Sequence, residues 1–168
     1  TGAMGTEFTR RLTRRGLRVV AVARNADALE ELAATAPGAI PCRADIADDS
    51  AVDAIAAQVD SPLRMALFAA GLPVAGSADT IVPADLAVGA NIKVGGVVRL
   101  LHAVRDHLVP GSRFVTIAGF FGLEPGPLDA MPGTVNAAVF NLMRQLSALY
   151  GPKGVTTHTI APGPVDTQ

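Results

Sequence analysis

Short runs of β-branched and aliphatic residues alternate along this sequence with Ala- and Leu-rich stretches of helical period, and no other feature limits the possible folds so tightly. Residues 18–23, 39–43, 64–69, 113–118 and 155–161 read as strands. Their inner positions are apolar on both parities, as expected of a sheet buried on both faces. Residues 6–15, 26–35, 50–58, 83–108 and 134–149 read as helices, the fourth with a break expected near Ala90 and Asn91. Gly16, Gly38, Gly111 and Gly151 punctuate their C-terminal sides. Strands alternating with helices predict an α/β fold, a doubly wound parallel sheet with helices on both faces. Residues 119–133, rich in Gly and Pro, form the one long irregular stretch, which is expected to be a lid or pocket wall.

The length of 168 residues suits a single domain. With 14 Lys and Arg against 15 Asp and Glu, the net charge is −1, which leaves no basic excess for binding nucleic acid. So low a charge beside 49% apolar residues also argues against disorder. Cys42 is the single cysteine, so neither an intrachain disulfide nor a multi-cysteine zinc site is available. A reducing, cytoplasmic setting and a buried, inert thiol are the expectations. No uninterrupted apolar run approaches roughly 20 residues, and no membrane span is expected. The sequence opens on a glycine turn with no strand leading into it, and it stops just after leaving a strand. A first strand and further C-terminal elements are therefore expected beyond the residues given.

Candidate ligand-binding residues fall at strand C-termini and helix starts, the edge where open α/β sheets bind ligands. Thr1-Gly2-Ala3-Met4-Gly5 precedes an amphipathic helix, whose free N–H groups and dipole favour a pyrophosphate. Then follow Arg24, Arg43-Ala44-Asp45-Ile46, Ala69-Ala70-Gly71, Asn91 and Pro162-Gly163-Pro164-Val165-Asp166-Thr167. In this order and spacing they resemble the motifs of the short-chain dehydrogenase/reductase family over essentially the whole chain. The resemblance implies a Rossmann-type dinucleotide-binding domain. It makes Thr1-Gly2-Ala3 the opening glycine motif and Asp45, beside Ile46, the adenine contact. It makes Ala69-Ala70-Gly71 a variant of Asn-Asn-Ala-Gly, and it assigns Pro162, Gly163, Val165 and Thr167 to the loop over the nicotinamide. Relative to the family, the glycine turn is about three residues short, about one helical turn. An NAD site usually has an acid at the end of the second strand, whereas a 2′-phosphate wants a guanidinium. This strand ends in Arg24, so NADP(H) is expected over NAD(H). The nearby Arg10, Arg11, Arg14 and Arg15 read as a solvated face.

The family reduces carbonyls with a Tyr, a Lys four residues later and a Ser that polarises the carbonyl. In this register the Ser, Tyr and Lys slots hold Gly119, Pro132 and Asn136, and only Asn91 of the tetrad is kept. Gly and Pro offer no side-chain proton, and an amide carries no charge to lower a phenol pKa. Asn136 retains the ability to hydrogen-bond a ribose hydroxyl. Losing general acid catalysis costs about 10²–10⁴ in rate, which leaves room for a slow reductase. Tyr150 lies at the far end of its helix with the wrong spacing to Lys153. Lys93, two positions after Asn91, points away from it on a helix and reads as solvated. His158 reads as a structural histidine inside the last strand, and the spacing of His102 and His107 does not suit a metal. Glu124 and Asp129 are carboxyls beside the expected nicotinamide site, although Asp129 also fits a helix cap.

Three functions stay open. One is an atypical NADP(H)-dependent oxidoreductase acting on a small carbonyl or hydroxyl compound. The second is a non-redox isomerase, cyclase or dehydratase in the same pocket, and the third a nucleotide-binding pseudoenzyme. The resemblance also implies a homo-oligomer, a dimer or tetramer, built on the helices at 83–108 and 134–149. Val97, Val98, Leu101, Val139 and Leu142 are the apolar residues expected on their exposed faces, although ordinary core packing explains the same residues.

Overall fold

A computed structural model describes residues 1–72 and 74–163, so the expectations for Val165 and Thr167 lie outside the described residues. Among the described residues are five strands and six α-helices in the order α1 (Ala3–Arg14), β1 (Val19–Ala23), α2 (Ala26–Thr35), β2 (Ala39–Arg43), α3 (Ala51–Ala56), β3 (Leu63–Phe68), α4 (Pro83–Ala90), α5 (Gly96–Val104), β4 (Leu108–Ile117), α6 (Ala130–Tyr150) and β5 (Thr156–Ile160). All strand pairs are parallel, β1 with β2 and, separately, β3 with β4 and β4 with β5. This is the Rossmann-like arrangement of parallel strands flanked by helices.

Alternation along β1 shows how both faces are used. Ala21 packs with Leu29 and Leu32 of α2, while Val20 and Val22 turn to the main core. That core gathers Ile55 of α3, Phe68 of β3, Val97 and Leu101 of α5, Phe114 of β4 and Val139, Met143 and Leu146 of α6. Val97 and Val139 are fully buried and Leu101 nearly so, and Leu142 packs against the same cluster. Of the five residues expected on an exposed oligomer face, Val97, Leu101 and Val139 therefore belong to the core of one chain and Leu142 packs against it, because these helices lay their apolar stripes on the sheet, while Val98 is half-buried outside that cluster.

The expected break near Ala90 and Asn91 is instead a π-helical segment, Asn91–Gly95, that joins α4 to α5 without interruption. The continuous helix Pro83–His107 has an 18-residue window of mean hydropathy 1.2, long and apolar enough to cross a membrane. Its Val97, Leu101 and Val104 are core residues, and Arg99 and His102 lie on its less buried side. Strand β4 starts five residues before the expected 113, because the segment from Leu108 pairs with Leu63 and Gly111 N–H donates to Gly154 O. His158 is exposed rather than internal, with its Nε2 3.0 Å from Thr156 Oγ1. Among the described residues, α6 covers one face of β5, where Thr157 Oγ1 donates to Met143 O, and His158 lies on the other, with exposed residues at alternate positions.

Candidate functional site

At the N-terminal edge, α1 begins at Ala3, so Ala3, Met4 and Gly5 lie in its first turn rather than before the helix. Gly2 is the N-cap, no side chain caps this end, and the first turn holds no acidic residue. A Cβ at Gly2 or Gly5 would meet nothing within 4 Å, so the helix end is open to approach. Arg24 ends β1 and its Nη1 lies 4.0 Å from Asp45 Oδ2, both side chains exposed. Asp45 Oδ1 also accepts from Ala47 N–H at 3.0 Å, fixing the loop that contains Ile46.

One residue that sequence reasoning missed organises that loop. Arg99 donates from Nε to Asp49 Oδ1 at 2.7 Å, from Nη1 to Ile46 O and Asn91 O, both at 3.1 Å, and from Nη2 to Asn91 Oδ1 at 2.9 Å. Asn91 Nδ2 donates to Ala47 O at 3.0 Å. The Asn91 amide is thus committed to Arg99 and the loop after β2. In sequence Arg99 is one arginine on an apolar helix, with no signal of its partners.

The helical geometry does place Lys93 opposite Asn91, but Lys93 is the one facing inward. It is 8% exposed and not solvated, contrary to the sequence reading. Its Nζ donates to Ile117 O at 2.6 Å and Ala70 O at 3.1 Å, joining the C-terminal ends of β4 and β3. Burial lowers its pKa to about 8. Lys93 and Asn136 line a cavity of about 50 Å³ with Gly71, Met131 and Pro132. Among the described residues Asn136 Oδ1 is buried without a partner. A Cβ at Gly119 would lie 2.7 Å from Asn136 Nδ2, so Gly119 leaves the room that the Asn136 amide occupies. The structure therefore brings together three positions that sequence spacing had singled out, Gly119, Pro132 and Asn136, and adds Lys93.

Residues 119–133 do form a pocket wall. Phe121, Pro125, Pro127 and Asp129 line a cavity of about 440 Å³ with Ala130 and Thr134 of α6. The loop is pinned where Gly76 N–H donates to Leu128 O and Ala130 N–H donates to Gly76 O. Its start is tied to the last described residues, since Phe120 N–H donates to Pro162 O at 3.0 Å. Asp129 is the N-cap position of α6, four residues earlier than expected for that helix, though its side chain makes no cap hydrogen bond. Glu124 is exposed. Tyr150 closes the far end of α6 beneath Lys153, whose Nζ is 4.8 Å from the ring centre. Cys42 is buried, which pushes its thiol pKa up. Among the described residues no His, Cys, Asp and Glu cluster suits a metal.

A family model described as enoyl-(acyl carrier protein) reductase matches residues 2–168. The chain belongs to the short-chain dehydrogenase/reductase family. Among solved structures it is similar to a putative betaketoacyl-ACP reductase at 27% identity, covering 100% of this chain and 71% of that one with a TM-score of 0.87. BdcA in complex with NADPH is 26% identical, with 98% of this chain and 67% of that one covered at a TM-score of 0.84. A Burkholderia cenocepacia J2315 short-chain dehydrogenase in complex with NADP shares the fold at 24% identity, with 98% and 70% covered and a TM-score of 0.82. No curated protein matches the chain. In this chain the Ala69-Ala70-Gly71 segment carries one of the carbonyls that hold Lys93.

Proposed function

We propose that this short-chain dehydrogenase/reductase is an atypical NADP(H)-binding oxidoreductase acting on a small carbonyl or hydroxyl compound, with the chain as one dinucleotide-binding domain. The observation that carries the reading is Arg24, exposed at the end of β1 beside Asp45 and on the same edge as the open N-terminus of α1. These groups fit the cofactor: the N–H groups from Ala3 onward would receive the pyrophosphate, and Arg24 the 2′-phosphate. Asp45 and Ile46 would meet the adenine, held by the Arg99 clamp. Ala69, Ala70 and Gly71 follow β3, and Pro162 and Gly163 follow β5, where the nicotinamide half would lie. When bound, the nicotinamide supplies the redox equivalent.

The larger cavity has the volume and apolar walls of a small-molecule site, and its position beside residues 119–133 suits the substrate. Asn136, in place of a lysine, serves hydrogen bonding rather than pKa tuning. A non-redox reaction is the second reading, favoured by Gly119 and Pro132, which offer no side-chain proton, standing beside the Asn136 amide. Association into a dimer or tetramer and a cytoplasmic setting belong to the same proposal.

The deciding experiment titrates the protein with NADPH and, in parallel, NADH, following nicotinamide fluorescence or binding heat. Tight NADPH binding with weaker NADH binding supports the reading. Equal affinities remove the role of Arg24, and binding of neither cofactor overturns the oxidoreductase.

A further inference from the structure

We propose that Lys93 and Asn136 form a binding site for a hydroxyl group, in which the Lys93 ammonium donates to the hydroxyl oxygen and Asn136 Oδ1 accepts the hydroxyl proton. Three observations lead there. Both side chains are more than nine-tenths buried, at 8% and 7% exposure, and both line the 50 Å³ cavity. An ammonium has three protons, and Lys93 spends two on Ile117 O and Ala70 O. Asn136 Oδ1 is the one buried side-chain polar atom among the described residues that lacks a partner.

A donor and an acceptor that share a cavity select their occupant by chemistry. A hydroxyl is the smallest group that answers both at once, because its oxygen accepts while its hydrogen is donated. A carbonyl or ether oxygen satisfies Lys93 and leaves Asn136 Oδ1 orphaned. A carboxylate sets its lone pairs against the amide oxygen. Leaving a buried acceptor unmet is unfavourable, so the pair discriminates for the hydroxyl. The volume admits a water or the hydroxyl end of a larger molecule, but not a whole substrate. Pro132, on the same wall, offers no hydrogen bond, so recognition falls to Lys93 and Asn136. Ala70 and Ile117 lie at the C-terminal ends of their strands, on the edge that binds ligands in open α/β sheets.

The inference rests on the proposed function only for the hydroxyl being the substrate's; the site itself needs no cofactor. Its test uses the fact that Lys93 and Lys153 are the only lysines of this sequence. In protein carrying ¹³C-lysine, the Cε signal lost in Lys93→Arg is that of Lys93, and the one lost in Lys153→Arg is that of Lys153. The probes are 2-butanol and its methyl ether, which keeps the acceptor oxygen and loses the donated proton. The expected result is a saturable shift of the Lys93 signal with 2-butanol, none at Lys153, and a response at least tenfold weaker with the ether. Asn136→Leu should abolish the preference for the alcohol. No saturable shift means the cavity takes water alone and overturns the proposal, as does an equal response to the ether. The alcohol and ether comparison on the unaltered protein decides the matter even where Asn136→Leu fails to fold. NADPH fluorescence on the same sample separates the two readings. A persistent alcohol shift without NADPH binding leaves the hydroxyl site standing and removes the oxidoreductase; the converse removes only the site.

Discussion

Replacing Lys93 with Met should remove an alkaline rise in stability. Burial lowers the Lys93 pKa from its ordinary 10.5 to about 8 in the folded protein, while the unfolded chain keeps the ordinary value. Between these two values the unfolded state binds more protons, so stability increases with pH across that window. Above 10.5 the lysine is neutral in both states and folding carries no charge burial; below about 8 it is charged in both, and the full cost of desolvation applies. At about 1.4 kcal/mol for each tenfold change in proton affinity, the fall from 10.5 to about 8 amounts to about 3 kcal/mol. The carbonyls of Ile117 and Ala70 accept from the ammonium and oppose that fall, which makes this the upper end. The Lys93→Met variant would leave both carbonyls without that donor, an offset of about 1–3 kcal/mol each that does not vary with pH. The assay is urea unfolding of both proteins at a series of pH values, with titrations elsewhere cancelling in the difference. Wild type should gain on Lys93→Met steadily through the window and level off above it. Parallel curves from pH 8 to 10.5 would refute the reasoning, since they would mean that Lys93 is not held charged against burial.

Further outcomes follow from single contacts. Gly122→Ala would put a Cβ 2.7 Å from Asn136 Cβ and 2.8 Å from Ala137 N, against backbone that cannot yield. It should cost about 1–3 kcal/mol in urea unfolding, and an unchanged midpoint would show that the turn after β4 moves freely off α6. Val139→Asp buries an unpaired carboxylate in a fully buried position and should cost more than about 3 kcal/mol. Loss of structure by circular dichroism is expected; a folded monomer by size-exclusion would restore α6 as an oligomer contact. Arg24→Ala should weaken NADPH binding about tenfold to a hundredfold, the worth of a charge-assisted contact, with NADH binding unmoved. Equal losses for both cofactors would remove Arg24 from the 2′-phosphate.

Periodicity by itself determined much of this protein. The bounds of α2 and β2 match their sequence patterns, because Asn25 caps α2 through Ala28 N–H and β2 is short and apolar on both parities. The same local rules put Arg24, Asp45 and Gly71 just after the C-terminal ends of β1, β2 and β3. They also put Gly119, Pro132 and Asn136 in register. What they could not give is which way a helix turns its residues. Lys93 and Asn91 were read correctly as opposed, but only packing of the π-helical segment against β3 and β4 put the lysine inside and gave Asn91 to Arg99. His158 is hydrogen-bonded to Thr156, as a structural histidine would be, but a strand pattern does not say whether a second layer covers it, and it is exposed. Val139 was assigned to an exposed face by its apolar character alone, which is the same for a core and an interface. Hydrophobic period and turn chemistry are local properties written residue by residue. The orphaned Oδ1 of Asn136, the third proton of Lys93 and the close fit of Gly119 arise only where segments distant in sequence meet.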